Sequence, residues 1–150
     1  MRKLLTLCVL VALVAGADAR TFTYPSGFPA NLGLDDAIGD SLSAGDTIII
    51  EDGTYTASGT AGNDDVTIFV GAGGALRVGD NITIQGESAG GVVFQLTQAT
   101  GRWVYANALY AKDGWTVKNI VFESTVANAN GPDLEFLSDW TFDTCVWRTS

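Results

Sequence analysis

Apolar and polar residues alternate along this chain in short bursts, and the bursts recur. Ala75 to Gly86, Ala108 to Asn119 and Asp133 to Thr144 align as three twelve-residue lines. They share Leu at the second place (Leu76, Leu109, Leu134) and an apolar residue at the fourth (Val78, Ala111, Phe136). The eighth place is apolar (Ile82, Trp115, Trp140), the ninth is threonine (Thr83, Thr116, Thr141) and the tenth is again apolar (Ile84, Val117, Phe142). Successive lines are offset by 33 and then 25 residues. A fainter line, 34 residues ahead of the first, sets Leu42, Ala44, Ile48 and Ile50 in the same columns. Repeats of this length indicate a stacked array rather than a closed globule.

The alternation within each line has a period of two, which is strand spacing, and the Gly or Asp residues between the bursts mark a bend. After Asn119 the alternation restarts at Ile120 and Phe122, and after Thr144 at Cys145 and Trp147. Each repeat therefore reads as three short strands joined by two bends. Thr, Val, Ile, Trp and Phe dominate the lines, and these residues favour strands over helices. The fold class expected is all-β, a right-handed parallel β-helix of about three to four coils. A β-sandwich with similar successive strands is the alternative. In the β-helix, Leu76, Leu109 and Leu134 stack inside, and Thr83, Thr116 and Thr141 stack outside. Asn119, Gly86 and Thr144 occupy one bend, where a left-handed backbone suits Gly and Asn and suits Thr poorly.

Ahead of the coils, Asn31 to Ser43 carries Leu34, Ala37, Ile38 and Leu42 at helical spacing, with Asp35 and Asp36 near its start. A short helix there would cover the open end of the first coil, as solenoids require. Tyr55 to Asp65 and Ala127 to Pro132 read as loops.

Residues 1–19 have the form of a secretory signal. Arg2 and Lys3 precede an apolar run from Leu4 to Ala15, and Ala17-Asp18-Ala19 is a small-x-small cleavage site. The run is shorter than the roughly 20 apolar residues of a membrane span. The organisation expected is thus a signal peptide over 1–19, an N-terminal segment with the capping helix over 20–43, and coils over 44–150. The formal net charge is −9, and removing Arg2, Lys3 and Asp18 makes it about −10. Such a surface repels nucleic acid and anionic membranes, so neither is an expected partner of the processed chain. Cys8 leaves with the signal, and Cys145, alone, reads as a small buried apolar side chain. The absence of histidine excludes histidine-dependent catalysis and the commonest zinc sites.

The segments Leu34 to Tyr55, Asn81 to Phe94 and Trp115 to Ser124 resemble the N-terminal part of the pectate-lyase-like right-handed β-helix superfamily. Gly45 to Ile48, Gly53-Thr54-Tyr55 and the strand pair Val117 to Phe122 carry the likeness, which spans roughly Leu34 to Arg148. The resemblance implies the fold far more than an activity. In that superfamily, lyases use calcium-binding carboxylates and a Lys or Arg base on the middle coils. No such constellation is recognisable here, so catalytic residues are unassigned and whether the chain is an enzyme is left open.

Two candidate surfaces follow from the outward first-strand columns. Arg77, Tyr110 and Glu135 would form a stripe of base, ring and acid suited to a sugar, against the alternative of an ordinary solvated ladder. Asp133, Glu135 and Asp139 form the densest acidic group and supply part of a calcium site, against the alternative of solvated carboxylates. Glu51, Gln85, Lys118 and Asp143 are expected in one outward column of the second strand, with Lys118 and Asp143 as a surface ion pair. Trp115 over Trp140 and Phe122 over Trp147 are expected as core stacks. Asn81-Ile82-Thr83 is a glycosylation sequon on a turn.

The function expected is that of a secreted, extracellular, carbohydrate-active protein, polysaccharide-lyase-like, binding or cleaving an acidic polysaccharide. In this reading catalytic coils lie beyond Ser150, no cofactor is evident, and calcium belongs to a longer form. The alternative is a non-catalytic extracellular β-solenoid for adhesion or matrix binding. Trp140, Phe142, Cys145 and Trp147 leave an apolar last coil, so the expectation is a truncated chain or one that associates end to end.

Overall fold

The computed structural model describes residues 18–30, 32–57, 68–70, 79–97, 104–106, 113–126, 133–134 and 139–149. Along the chain come β1 (Thr21–Tyr24), α1 (Leu34–Ser41), β2 (Thr47–Ile50), β3 (Gly53–Ala57), β4 (Ile68–Val70) and β5 (Thr83–Gly86). They are followed by β6 (Val92–Leu96), β7 (Val104–Ala106), β8 (Thr116–Lys118), β9 (Ile120–Ser124), β10 (Asp133–Leu134), β11 (Thr141–Asp143) and β12 (Val146–Thr149). The strands form three sheets, in the orders β1-β2-β5-β8-β11, β3-β6-β9-β12 and β4-β7-β10. Every pairing is parallel. From β2 onward the chain visits the first, second and third sheets in that fixed rotation until it ends in β12. The architecture is all-β and parallel, with one short helix.

Register in the first sheet follows threonine. Thr21 lies opposite Thr47, Thr47 opposite Thr83, Thr83 opposite Thr116, and Thr116 opposite Thr141. The expected threonine column therefore exists and is longer by two members. The faint fourth line needs correction. Its true offset is 36 residues, because Ile48 pairs with Ile84 and not with Ile82. The place equivalent to Ile82 is taken by Asp46, whose carbonyl accepts the Thr83 N–H at 3.0 Å. An acid in an apolar column made the apolar match slip by two.

The third sheet also departs from the expected columns. Leu134 lies opposite Ala106, and Ala106 opposite Val70. Leu76 and Leu109, the partners expected for Leu134, lie outside the described residues. The connection from this sheet to the next threonine shortens along the chain, from Val70–Thr83 to Ala106–Thr116 to Leu134–Thr141. Fixed twelve-residue windows do not follow a shortening connection.

Bends between sheets rest on left-handed backbone. Gly45 (φ 83), Asn81 (φ 60), Gly114 (φ 72) and Asp139 (φ 58) each stand two residues before a column threonine. Their stacking is tied by hydrogen bonds from Gly45 N–H to the Asp80 carbonyl at 3.0 Å and from Asn81 N–H to that of Asp113 at 2.8 Å. A second bend, three residues after the threonine, holds Asn119 (φ 60) and Thr144 (φ 54). Thr144 takes the left-handed conformation in spite of its branched Cβ, so the chain there is strained. Gly86 occupies the same place with an ordinary φ. It is needed for space, since a Cβ on it would strike the Asn119 carbonyl.

The core is a set of side-chain stacks between the sheets. Ile48, Ile84 and Val117 fill one column of the first sheet and are fully buried. Tyr55, Phe94, Phe122 and Trp147 stand in one column of the second, buried at Phe94 and Phe122 but exposed at Trp147, which was expected in the core. Within it Phe94 meets Phe122 edge-on at 5.7 Å, and Phe122 stacks on Trp147 at 4.1 Å. Trp115 and Trp140 stack at 4.9 Å and 11°. Full burial of each such side chain is worth about 1.5–3 kcal/mol. Trp115 is completely buried and still satisfies its indole N–H, which donates to the Gly79 carbonyl at 3.2 Å. Ser124, the buried hydroxyl of the second sheet, donates to the Val126 carbonyl at 2.9 Å.

Ahead of the rotation, β1 extends the first sheet, where only an irregular segment and a helix were expected. Helix α1 lies beside β4, the edge strand of the third sheet. Leu34, Ala37, Ile38 and Leu42 are buried in the same core cluster as the strands. Spacings of three and four residues place them on one helical face.

Ile38→Asp is expected to destabilise the fold by about 3 kcal/mol or more, because it buries a charge without a partner. Urea denaturation checks this, and an unchanged midpoint would mean that the helix face is not docked. Thr144→Gly is expected to stabilise by about 1 kcal/mol, by relieving a β-branched residue in left-handed backbone. The same urea series reads it, and a loss of stability would refute the strain.

Candidate functional site

The outer face of the first sheet is the most regular polar surface among the described residues. Burial alternates along its strands, with Ile48, Ile84 and Val117 inside and Thr47, Thr83 and Thr116 half-buried outside. Thr21 and Thr141 end the row and are exposed. Parallel strands set the five hydroxyls about 4.8 Å apart, and each hydroxyl is both donor and acceptor. A second row, one pleat further along each strand, runs Thr23, Ile49, Gln85, Lys118, Asp143. Glu51, expected in this row, is replaced by Ile49 through the same two-residue slip. Lys118 stands opposite Asp143 as expected, but the ion pairs found among the described residues are Arg20–Asp46 and Arg148–Glu123.

The outer face of the second sheet carries a hydrogen-bonded ladder through three strands. Gln95, Glu123 and Arg148 are register partners. The Gln95 amide donates to Glu123 Oε1 at 2.7 Å, and Arg148 Nε donates to Oε2 at 2.6 Å. The Gln95 hydrogen bond first, and the Arg148 hydrogen bond and charge with it, hold the Glu123 carboxyl below its ordinary value. Exposed bonds of this kind contribute modestly to stability.

At the corner between β2 and β3 several carboxylates meet. Ser88 donates to both Asp52 oxygens, by its N–H at 3.1 Å and its hydroxyl at 2.7 Å. The Asp52 N–H donates to Glu87 Oε2 at 3.2 Å. Close by, the Tyr55 hydroxyl donates to the Glu51 carbonyl at 2.8 Å. Burial, followed by the charge of Glu51 and more weakly by Tyr24, Asp52 and Glu87, pushes Tyr55 up to about 12. Asp52 and Glu87 tie one loop to the next. Cys145 is half-buried against the core rather than enclosed by it. Burial, aided by Asp143 and opposed by a backbone hydrogen bond from Ile120, pushes its thiol up, away from the reactive thiolate.

Of the residues singled out from the sequence, Arg77, Tyr110 and Glu135 lie outside the described residues. Asp133 begins β10 opposite Tyr105, and Asp139 is an exposed member of the left-handed bend ahead of Thr141. Among the described residues no group of three Asp, Glu, His or Cys side chains is placed to hold a metal ion. The extended threonine row and the buried Asp46 were both missed. Their shared signal is the triplet Gly45-Asp46-Thr47, which repeats the spacing of Asn81-Ile82-Thr83. Comparison with protein-family models, with curated proteins and with solved structures gives no match.

The Glu123 carboxyl is expected to titrate below the ordinary glutamate value of about 4.3. A pKa lowered by folding means stabilisation present above that value and lost as pH falls through the folded one. Carbon-detected NMR reads the titration directly. Arg148→Ala is expected to move it upward, and an unmoved curve would show that Arg148 does not take part.

Proposed function

We propose that the described strands are coils of a right-handed parallel β-helix of the pectate-lyase-like kind, with α1 closing its N-terminal end. The observation that supports this is the fixed rotation of consecutive strands through three parallel sheets. Right-handed crossovers are nearly universal between parallel strands of one sheet, which supports the right-handed form. On this reading the protein is a secreted solenoid, exported by residues 1–19, whose outer faces bind polysaccharide. Among the described residues no helix is long and apolar enough to cross a membrane.

The binding face in this proposal is the first sheet. A sugar chain presents hydroxyls at intervals of about one coil, and the threonine row offers donors and acceptors at about 4.8 Å. Gln85, Lys118 and Asp143 border that row and add side chains able to bond hydroxyls or a uronate. Elimination of a uronate would require a cation to neutralise its carboxylate and a basic group to remove the C5 proton. Arg20 and Arg148 are each engaged by a carboxylate, which leaves Lys118, opposite Asp143, as the basic side chain on this face, and binding is our first reading. A polysaccharide lyase whose reacting residues lie elsewhere in the chain or in a longer form is the second reading.

Affinity electrophoresis of the purified protein on pectate, alginate and neutral glucan gels tests the proposal. Retardation is expected, weakened at least tenfold when Thr83, Thr116 and Thr141 are together changed to valine, which keeps shape and removes three hydroxyls. Acidic gels are expected to retard only with calcium, because the net charge of −9 repels a polyanion. Mobility unaffected by every gel would sink the proposal. A rise in ultraviolet absorbance from unsaturated uronate ends would favour the second reading.

A further inference from the structure

Asp46 is an acid set in an apolar column, at the place where the next coils carry Ile82, Trp115 and Trp140. The backbone ladder fixes that equivalence, since Thr83 N–H bonds the Asp46 carbonyl, Thr116 N–H that of Ile82 and Thr141 N–H that of Trp115. Its side chain is 1% exposed. The cover comes from Arg20 and the turn after α1 rather than from depth in the core. Oδ1 accepts the backbone N–H of Arg20 at 2.8 Å, and Oδ2 accepts that of Ser43 at 2.8 Å. Arg20 Nη2 adds a bond to Oδ2 at 2.6 Å, and Nε one at 3.2 Å. Burial alone would raise this carboxyl, but the Arg20 and Ser43 bonds and the Arg20 charge together hold it below its ordinary value.

Arg20 is itself held in place. Its carbonyl accepts the Thr47 N–H at 2.8 Å, which locks it into the sheet ahead of β1. Its Nη2 also donates to the Ser41 carbonyl at 2.9 Å and to Ser43 Oγ at 3.2 Å. The guanidinium lies 4.9 Å over the Phe22 ring. The backbone nitrogen of Arg20 thus has a fixed position beside a carboxylate, while residues 18–20 are exposed on their other side.

That nitrogen is also the atom a signal peptidase would free. Arg20 follows the small-x-small run Ala17-Asp18-Ala19 directly. Hydrolysis of the Ala19–Arg20 peptide bond adds one water, leaving a carboxylate on Ala19 and a primary ammonium on Arg20. We propose that Asp46 is the receptor for this new α-ammonium. Processing then turns a neutral N–H bond into a second full ion pair on the same carboxylate, and it locks the first strand of the processed chain. The inference rests on the secretory reading of residues 1–19.

The charged groups beside the ammonium among the described contacts are Asp46, which accepts its N–H, and the Arg20 guanidinium. Asp46 attracts it, and the guanidinium, itself paired with Asp46, repels it. An α-amino group ordinarily titrates near 7.7–8.0. A partner carboxylate raises that value, so the added stability is complete below about 8 and is lost as pH rises through the folded pKa.

The test expresses the full chain in a secreting host and analyses the product released to the medium. Intact mass and N-terminal sequencing are expected to show Arg20 as the first residue. Nitrogen-15 NMR titration is expected to place the α-amine at least about one unit above its ordinary value, an about tenfold lower ratio of free amine to ammonium at any given pH. Asp46→Asn is expected to return it to the ordinary value. Arg20→Met keeps the ammonium and removes the guanidinium, so the raised value should persist in it, and an ordinary value in it would overturn the inference even if Asp46→Asn fails to fold. Absence of any released product would refute the secretory reading and the inference with it. A product beginning at another residue would overturn the inference alone. So would an α-amine at its ordinary value on a product that does begin at Arg20.

Discussion

Parallel register is the constraint on which the rest of this structure depends. A strand that slips by one residue exchanges its inner and outer faces, so every coil must begin its first strand at the same phase. The left-handed residue two places before each column threonine provides that reset. Gly45, Asn81, Gly114 and Asp139 turn the backbone at one level of the stack, and the hydrogen bonds from Gly45 to Asp80 and from Asn81 to Asp113 tie successive turns together. Once the turns are aligned, the threonines must point out and Ile48, Ile84 and Val117 must point in. Connections elsewhere in the coil are then free to vary. The corner between the first and second sheets needs only Asn119 in one coil, but takes Glu87 to Gly91 in the preceding one.

The columns convert this register into cohesion. Neighbouring residues in a column come from adjacent coils, so each inward side chain packs on the coils before and after it. Phe122 shows the result, with Phe94 edge-on at 5.7 Å on one side and Trp147 stacked at 4.1 Å on the other. Rings within one turn of the rotation also meet, as Phe142 meets Trp147 edge-on at 5.6 Å. Val121 and Phe122 in β9 are 5% and 0% exposed, whereas their partners Val146 and Trp147 in β12 are 50% and 41% exposed. The difference between these pairs is what one further layer of cover removes from water.

Much of this order was legible in the sequence, and what was not has specific causes. Period-two alternation and the recurrence of threonine beside Ile82, Trp115 and Trp140 placed the first sheet correctly for three coils. The tryptophan and phenylalanine stacks were legible for the same reason. The fourth coil was set two residues out of register because hydrophobic matching cannot use a column position filled by Asp46. The Leu76, Leu109, Leu134 column failed at Leu134 for a different reason. The connection from the third sheet to the first shortens from coil to coil and leaves no periodic trace. β1 was missed because Thr21 to Tyr24 is too short to show alternation, and its pairing with β2 is a tertiary fact. The site was less legible than the fold, since a binding face is a property of aligned rows and a slip of two exchanges Ile49 for Glu51.

Asp46 is where local cost and global order meet. A buried carboxylate in an apolar column is unfavourable unless it is paired and hydrogen-bonded. Ile at that position, as at Ile82, would give a better column but no attachment for what precedes it. β1 is the edge strand of its sheet, with a neighbour on one side only, and an unpaired edge invites fraying or pairing with another chain. Asp46 gathers the Arg20 backbone, the Arg20 side chain and the Ser43 amide onto one carboxylate, which binds β1, the end of α1 and β2 together. The attachment is electrostatic and directional, so it specifies where the first strand lies, which apolar contact alone does not. Threonine at position 21 then continues a column begun at Thr47, and the polar face extends to the edge without a change of register.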